Sequence, residues 1–181
     1  MIGVKRVAVA RGSTAAEYTM SMRSSGIENE PTPELGEIVA RCRADGHILA
    51  ALLRIYAEAD SALGATGAVC MGGGACCKFD WFEHRLYATT IELALLTSKP
   101  PPDPDRVLRQ RCPYQIGPGC GAYPRRPLGC RSFFCDPINE PVCHEIHERF
   151  HRRIRRLHET LCVPYAYTEA MAAFIQLLAH K

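Results

Sequence analysis

Residues 112–135 read CPYQIGPGCGAYPRRPLGCRSFFC, and this stretch decides how the middle of the chain folds. Its four cysteines are separated by seven, nine and four residues, with glycine and proline between them. These turn-forming residues exclude a long helix. The apolar residues are too few and too scattered to make a core of their own. We therefore expect cysteine sulfur, bound to a metal, to hold the segment in shape.

A second group of cysteines precedes this stretch. Cys70 is followed by three consecutive glycines, residues 72–74, and then by Cys76 and Cys77. Consecutive glycines let the backbone come close to a metal centre and point amide groups at thiolate sulfur. Seven of the ten cysteines in the chain fall in the two groups. We predict that the metal ligands are among them: Cys70, Cys76, Cys77, Cys112, Cys120, Cys130 and Cys135.

Seven cysteines are more than one ordinary centre uses. One structural zinc ion, or one iron–sulfur cluster, usually takes four protein ligands. The sequence leaves open which four bind, and whether two metals share bridging thiolates. Four thiolates leave such a centre with a charge of about −2, which nearby cations must offset. Arg125, Arg126 and Arg131 stand in the right stretch to do so.

The composition bears on the compartment and therefore on the state of the cysteines. No apolar segment long enough for a signal peptide follows Lys5 and Arg6, and no run approaches the roughly 18 apolar residues of a membrane span. We therefore expect a cytoplasmic protein that does not associate with membranes. Thiols stay reduced in the cytoplasm, which favours metal binding over disulfides. A disulfide-exchange role is restricted to Cys76 and Cys77, and adjacent cysteines pair with strain.

The spacing of apolar residues predicts a mainly α fold with small irregular or β elements, in which helices flank a loop-rich cysteine centre. Residues 1–33 show no sustained period and predict a disordered tail, whereas 34–181 predict a single domain with the cluster region at 70–135. Thr89 and Glu92 form a capping-box pattern, and Thr168 is a candidate cap of the last helix. The predicted elements are helices at 34–63, 89–96, 142–161 and 169–179, the last with Met171, Phe174, Ile175 and Leu178 buried, and a strand at 78–87.

The cysteine pattern resembles the YkgJ-like cysteine-cluster family, which is described as a zinc- or iron-chelating domain. The resemblance covers residues 70–135 and is closest in CGAYPRRPLGCRSF, residues 120–133. Gly73 stands where that family usually has its second cysteine, which sets Cys70 apart from the other six candidates, and Cys135 could replace the missing sulfur. The resemblance implies an iron–sulfur cluster of the 4Fe–4S type, or zinc. It also implies kinship with a flagellin lysine methylase, although no cofactor-binding βαβ pattern is present here.

We therefore predict a metal-binding protein with a redox, sensing or metal-handling role. Two alternatives stay open. One is a protein-modifying enzyme that uses the cluster, and the other is a structural zinc module that presents a basic helix to an acidic protein partner. No catalytic residues are assigned, because the sequence shows neither paired carboxylates nor a nucleophile–base set.

The long helix predicted at 142–161 carries two further patterns. Its polar side has five arginines, but no recognised nucleic-acid motif accompanies them, so a solvated face is favoured over nucleic-acid binding. Cys143, His147 and His151 recur every four residues and share one face, so they could bind zinc. Because the histidines lie at the border of the apolar stripe, we favour a packing role for them. His147 is the preferred choice if the cysteine centre needs a histidine.

Overall fold

In the computed structural model, the described residues are 34–70, 73–79, 84–134 and 139–179. The tail predicted at 1–33 lies outside them, as does the candidate ligand Cys135. Most of the described residues are helical, so the predicted mainly α fold class is confirmed. The helices in this part of the chain are α1 (Leu35–Ala44), α2 (Gly46–Gly64), α3 (Thr90–Leu96), α4 (Pro104–Leu108), α5 (Leu128–Ser132), α6 (Glu140–Thr160) and α7 (Ala170–Ala179).

Two small antiparallel sheets join distant parts of the chain. Strand β1 (Tyr87–Thr89) pairs with β4 (Tyr167–Glu169), and β2 (Gln115–Ile116) pairs with β3 (Gly119–Cys120). Part of the strand predicted at 78–87, residues 80–83, lies outside the described residues; in the rest, residues 84–86 have no regular structure and β1 begins only at Tyr87. Backbone pairing with β4 decides the position of β1, and that partner lies about eighty residues away along the chain.

The helix predicted at 34–63 is broken into α1 and α2 at Asp45. The Asp45 side chain accepts hydrogen bonds from the backbone N–H groups of His47 and Ile48, at 2.8 and 3.3 Å. Aspartate favours this cap over an interior helical position because its short carboxylate can bond to nearby backbone N–H groups. The apolar spacing continues across the break, and the buried Cys42 lies on it.

Helix α3 is the centre of the core, because all seven of its residues are buried. The predicted capping box is confirmed: Thr89 Oγ1 accepts from Glu92 N, and Glu92 Oε2 accepts from Thr89 N at 2.9 Å. Glu92 is only 2 % exposed. Its other oxygen accepts hydrogen bonds from Tyr56 on α2 and from the backbone of Leu128 on α5.

Helix α6 packs along α2 through the apolar stripe that its sequence predicts, with Ile146, Phe150 and Ile154 buried. On α7, Met171 and Phe174 are buried as predicted, but Ile175 is 48 % exposed. The buried face of α7 is completed by Ala170 and Ala173, and Leu178 is only half-buried. Among the described residues, no helix is long and apolar enough to cross a membrane.

The cap of α7 comes from Glu169 and not from the predicted Thr168. The Glu169 carboxylate accepts hydrogen bonds from Met171 N and Ala172 N, at 3.0 and 2.8 Å. Thr168 lies one residue before the cap position, because β4 runs to Glu169 and α7 begins at Ala170. Strand pairing therefore moves the start of the helix.

Candidate metal centre

Five of the predicted ligands come from separate segments that the fold brings together. Cys76 and Cys77 lie in the one-turn 3-10 helix Ala75–Cys77, Cys112 precedes β2, Cys120 lies in β3, and Cys130 lies in α5. The backbone N–H of Cys112 donates a hydrogen bond of 3.0 Å to the carbonyl oxygen of Cys77. The two cysteine loops are therefore joined directly.

The glycine-rich loop passes close against the β2–β3 hairpin, and Gly74 makes this possible. Gly74 has a φ of +68°, which side-chain-bearing residues rarely adopt. A Cβ atom at this position would lie 2.7 Å from Gln115 Nε2 and 3.0 Å from Pro118 O. The Gln115 amide also reaches the carbonyl oxygen of Gly74 at 3.5 Å. The hairpin that carries Cys120 is thus held against the turn that carries Cys76 and Cys77.

A cavity of about 130 Å³ lies between these segments. Cys77 is buried, four of the cysteines around the cavity are half-buried, and Cys70 is exposed. None of the cysteines in the described part of the chain forms a disulfide. Six of the seven predicted ligands line this one cavity: Cys70, Cys76, Cys77, Cys112, Cys120 and Cys130.

Proximity and burial oppose ionisation of these thiols. The pKa of Cys76 is raised mainly by the hydrogen bond between Cys76 and Cys77. The hydrogen bond between Cys77 and Cys112 raises the pKa of Cys77 to about 12. Burial is the main cause that raises the pKa of Cys130, and the neighbouring cysteines raise it further. A metal cation would reverse this balance, because thiolates that coordinate a metal are deprotonated. A bound metal cation would therefore stabilise these cysteines as thiolates.

Two further polar groups at the cavity fit an anionic metal–sulfur group. Tyr114 and Arg126 both line the cavity. Within the described structure, Tyr114 Oη and Arg126 Nε are buried and have no hydrogen-bond partner. Buried donors without a partner are rare and costly. Thiolate or sulfide sulfur accepts hydrogen bonds from such donors, so the residues around the cavity fit a centre of this kind.

The charge of Arg126 acts on the cysteines themselves, because it lowers the pKa of both Cys76 and Cys130 against the other effects. Sequence reasoning had named Arg126, but it had given Tyr114 no role. Tyr114 stands two residues after the candidate ligand Cys112 in the sequence.

Arg131, which we expected to offset the charge of the centre, has a different role. Its guanidinium group bonds to Asp60 Oδ2 at 2.5 Å and to the carbonyl oxygens of Pro124 and Arg126. It also lies 4.0 Å from the centre of the Tyr56 ring. Arg131 therefore fastens the 124–126 loop to α2. Of the three arginines predicted for this purpose, all of them in the described structure, only Arg126 lines the cysteine cavity.

A wider cavity of about 640 Å³ adjoins the cysteine cluster. Cys76 and Cys130 line both cavities, as do Phe79 and Leu86, so these four side chains lie between the cysteine cavity and the wider one. Aromatic side chains form part of the wall, and His84 stacks on Phe133 with ring centres 5.4 Å apart. A molecule in the wider cavity would therefore approach the cluster from one side.

The wider cavity has a second chemically distinct wall on α6. His147 and Glu148 line it, and together with His151 they place one ligand atom each within 4.8 Å of one another. Sequence reasoning noticed the two histidines but missed Glu148. The signal that it overlooked is the pattern H-E-x-x-H at residues 147–151, which is typical of metal-binding helices.

Comparison of the chain with protein-family models, with curated proteins and with solved structures finds no match. The resemblance to the YkgJ-like family therefore stays a prediction that depends on the motif alone.

Proposed function

We propose that this protein holds a metal centre through cysteine thiolates, that the centre is an iron–sulfur cluster in preference to zinc, and that it serves a redox, sensing or metal-handling role in the cytoplasm. The observation that carries this proposal is the gathering of cysteines from separate segments around one cavity. Two buried donors without partners, Tyr114 Oη and Arg126 Nε, support it further.

The spacing of the sulfur atoms favours a cluster. Zinc bound to four thiolates at about 2.3 Å holds its sulfur atoms about 3.8 Å apart. Among the described residues, one group of side chains places its ligand atoms within 4.8 Å of one another. That group is His147, Glu148 and His151, and it contains no cysteine. No three of the described cysteines thus bring their sulfur atoms within 4.8 Å of one another, although Cys77 is hydrogen-bonded to both Cys76 and Cys112. A cluster of several iron ions takes ligands at larger separations.

Access from the wider cavity supports an active role for the centre over a structural one. Structural zinc sites are closed by their protein ligands. Here Cys76 and Cys130 also face the 640 Å³ cavity, from which an electron partner, a small ligand or a metal donor can reach the centre. The alternative of a structural zinc module requires a basic helix that can bind an acidic partner. The positive charge of α6 is partly neutralised within the chain, because Arg153 pairs with Glu58 at 2.7 Å.

Anaerobic purification of the full chain tests the proposal. We expect a brown protein with broad visible absorption that contains iron and inorganic sulfide in about equal amounts, up to about four of each per chain. A protein that contains zinc but neither iron nor sulfide would contradict the iron–sulfur cluster. It would still agree with a metal centre held by cysteine thiolates. A protein that binds neither metal after anaerobic reconstitution would contradict the proposal as a whole.

A further inference from the structure

Helix α6 carries a group of metal-ligating side chains that is separate from the cysteines. His147 and His151 are one helical turn apart and therefore lie on the same face, with ring centres 5.8 Å apart. Glu148 completes the group, since one ligand atom of each of the three residues lies within 4.8 Å of the others. These distances suit a single metal ion bound by two imidazoles and one carboxylate.

The hydrogen bonds around His147 prepare it for binding a metal. The Ser132 hydroxyl donates its one hydrogen to the carbonyl oxygen of Leu128, at 2.9 Å. At its 2.9 Å contact with His147 Nδ1, Ser132 Oγ must therefore be the acceptor, so Nδ1 carries the proton. The lone pair of the neutral ring is then on Nε2, where a metal can bind. Metal-binding histidines usually donate their other ring N–H in this way.

His151 is held by a hydroxyl group as well. Its Nε2 lies 2.8 Å from Tyr165 Oη, and its ring packs against Tyr167 with ring centres 4.4 Å apart. One nitrogen is thus engaged and the ring is oriented by its neighbours, and Nδ1 is the other nitrogen with which the ring can bind a metal. The carboxylate of Glu148 has only a long contact of 4.0 Å with Arg152, and both side chains are well exposed, so this pair is weak.

The chemistry of this donor set selects the ion. Imidazole nitrogen and carboxylate oxygen together suit zinc and its neighbours among the divalent transition metals. Three protein ligands leave at least one position open. Because His147 and Glu148 line the 640 Å³ cavity, water or a molecule in that cavity can fill the open position.

We propose that His147, Glu148 and His151 form a second metal site, for a divalent transition-metal ion with zinc as the best fit, on the wall of the wider cavity. The site uses no cysteine, so it stands independently of the metal centre proposed above. Ser132 and Tyr165 are positioning residues that act through the two histidines.

Cobalt(II) binding to the full chain tests this proposal, because thiolate-bound cobalt gives intense sulfur-to-metal absorption and a histidine–carboxylate site gives only weak visible bands. We expect one cobalt ion that lacks the sulfur bands and that zinc displaces. The double variant His147→Ala/His151→Ala should lose this ion. It should leave unchanged any sulfur-to-metal absorption from cobalt bound to the cysteines. Ser132→Ala should weaken binding of this ion about tenfold.

His144→Ala is the matched control, since His144 lies on the same helix and lines the same cavity but is not one of the three ligands. It should keep the sulfur-free cobalt ion. The proposal is overturned if the double variant binds that ion as well as the native chain does, if the His144 control loses it too, or if the native chain shows cobalt with sulfur bands only. None of these results depends on whether the cysteines bind a metal.

Discussion

Leu128 N donates a hydrogen bond of 2.8 Å to Glu92 Oε1, so a buried carboxylate in the core holds the helix that carries Cys130. The same carboxylate accepts hydrogen bonds of 2.9 Å from Tyr56 Oη and from Thr89 N. Glu92 therefore connects α2, the start of α3 and α5 at one point. Because Cys130 follows Leu128 by two residues, its place at the cavity depends on this connection.

Glu92→Gln should destabilise the fold. A glutamine amide has one oxygen in place of two, so it cannot accept all three hydrogen bonds, and a buried donor left without a partner costs about 1–3 kcal/mol. The free energy of unfolding in urea measures the effect. Glu37→Gln, on the exposed side of α1, is the control and should change stability by less than about 0.5 kcal/mol. Equal effects of the two changes would contradict this role of Glu92.

Cys130→Ser should lose most of the bound metal, because the variant removes a sulfur from the wall of the cysteine cavity. Metal and sulfide analysis of the purified chain measures the loss. Cys42→Ser is the buried control and Cys162→Ser the exposed one, and neither residue lines the cavity as the structure describes it. Both controls should retain the metal. Full retention of metal in Cys130→Ser would show that the centre lies elsewhere.

Arg126→Gln should weaken metal binding by about tenfold, since it removes a buried donor and a positive charge from the cysteine cavity. Transfer of the metal to a competing chelator measures the affinity. Arg125→Gln is a closely matched control, because Arg125 is the neighbouring residue but is not among the residues described around that cavity. An affinity that falls equally in both variants would contradict a specific role for Arg126.

His158 should make the protein less stable in acid. Its side chain is 1 % exposed, and burial is the main cause that lowers its pKa below the ordinary value of 6.5. The unfolded chain therefore takes up a proton before the folded chain does. Stability is fully present above pH 6.5 and falls as the pH drops from there towards the lowered pKa, by at most about 1.4 kcal/mol per pH unit.

Urea unfolding at a series of pH values measures this loss in the native chain and in His158→Asn. Asparagine keeps a donor for the carbonyl oxygen of Val163, which lies 3.3 Å from His158 Nδ1, but it does not titrate. The variant should show a shallower decline between pH 6.5 and pH 5. An unchanged slope would assign the acid sensitivity to other groups, with the half-buried His147 as the first candidate.

The helices were predictable because their signals are local. The capping box at Thr89 and the apolar stripe through Ile146, Phe150 and Ile154 lie within a few turns of the residues that they organise. The errors arose where a distant segment intervened. Pairing of β1 with β4 moved the predicted strand and displaced the cap of α7 from Thr168 to Glu169.

The same distinction between local signals and distant contacts applies to the candidate metal centre. Cysteine spacing and the glycine-rich loop were enough to name the six cysteines that line the cavity, because the ability to bind a metal depends on residue type. The partners of the arginines were not predictable. Arg131 finds Asp60, seventy-one residues away, and leaves Arg126 and Tyr114 as the donors beside the cysteines.

The sequence alone determined a mainly helical chain and a set of cysteines suited to a metal, since helix formation and ligand identity depend on residues that are near one another or on side-chain chemistry. The tertiary structure alone decided which of these groups meet. It joined the two cysteine loops through the hydrogen bond from Cys112 to Cys77, and it placed His147 and Glu148 on the wall of a cavity that Cys76 and Cys130 also line. Contacts of this kind depend on how segments far apart in the chain pack against one another. No local sequence pattern specifies that packing.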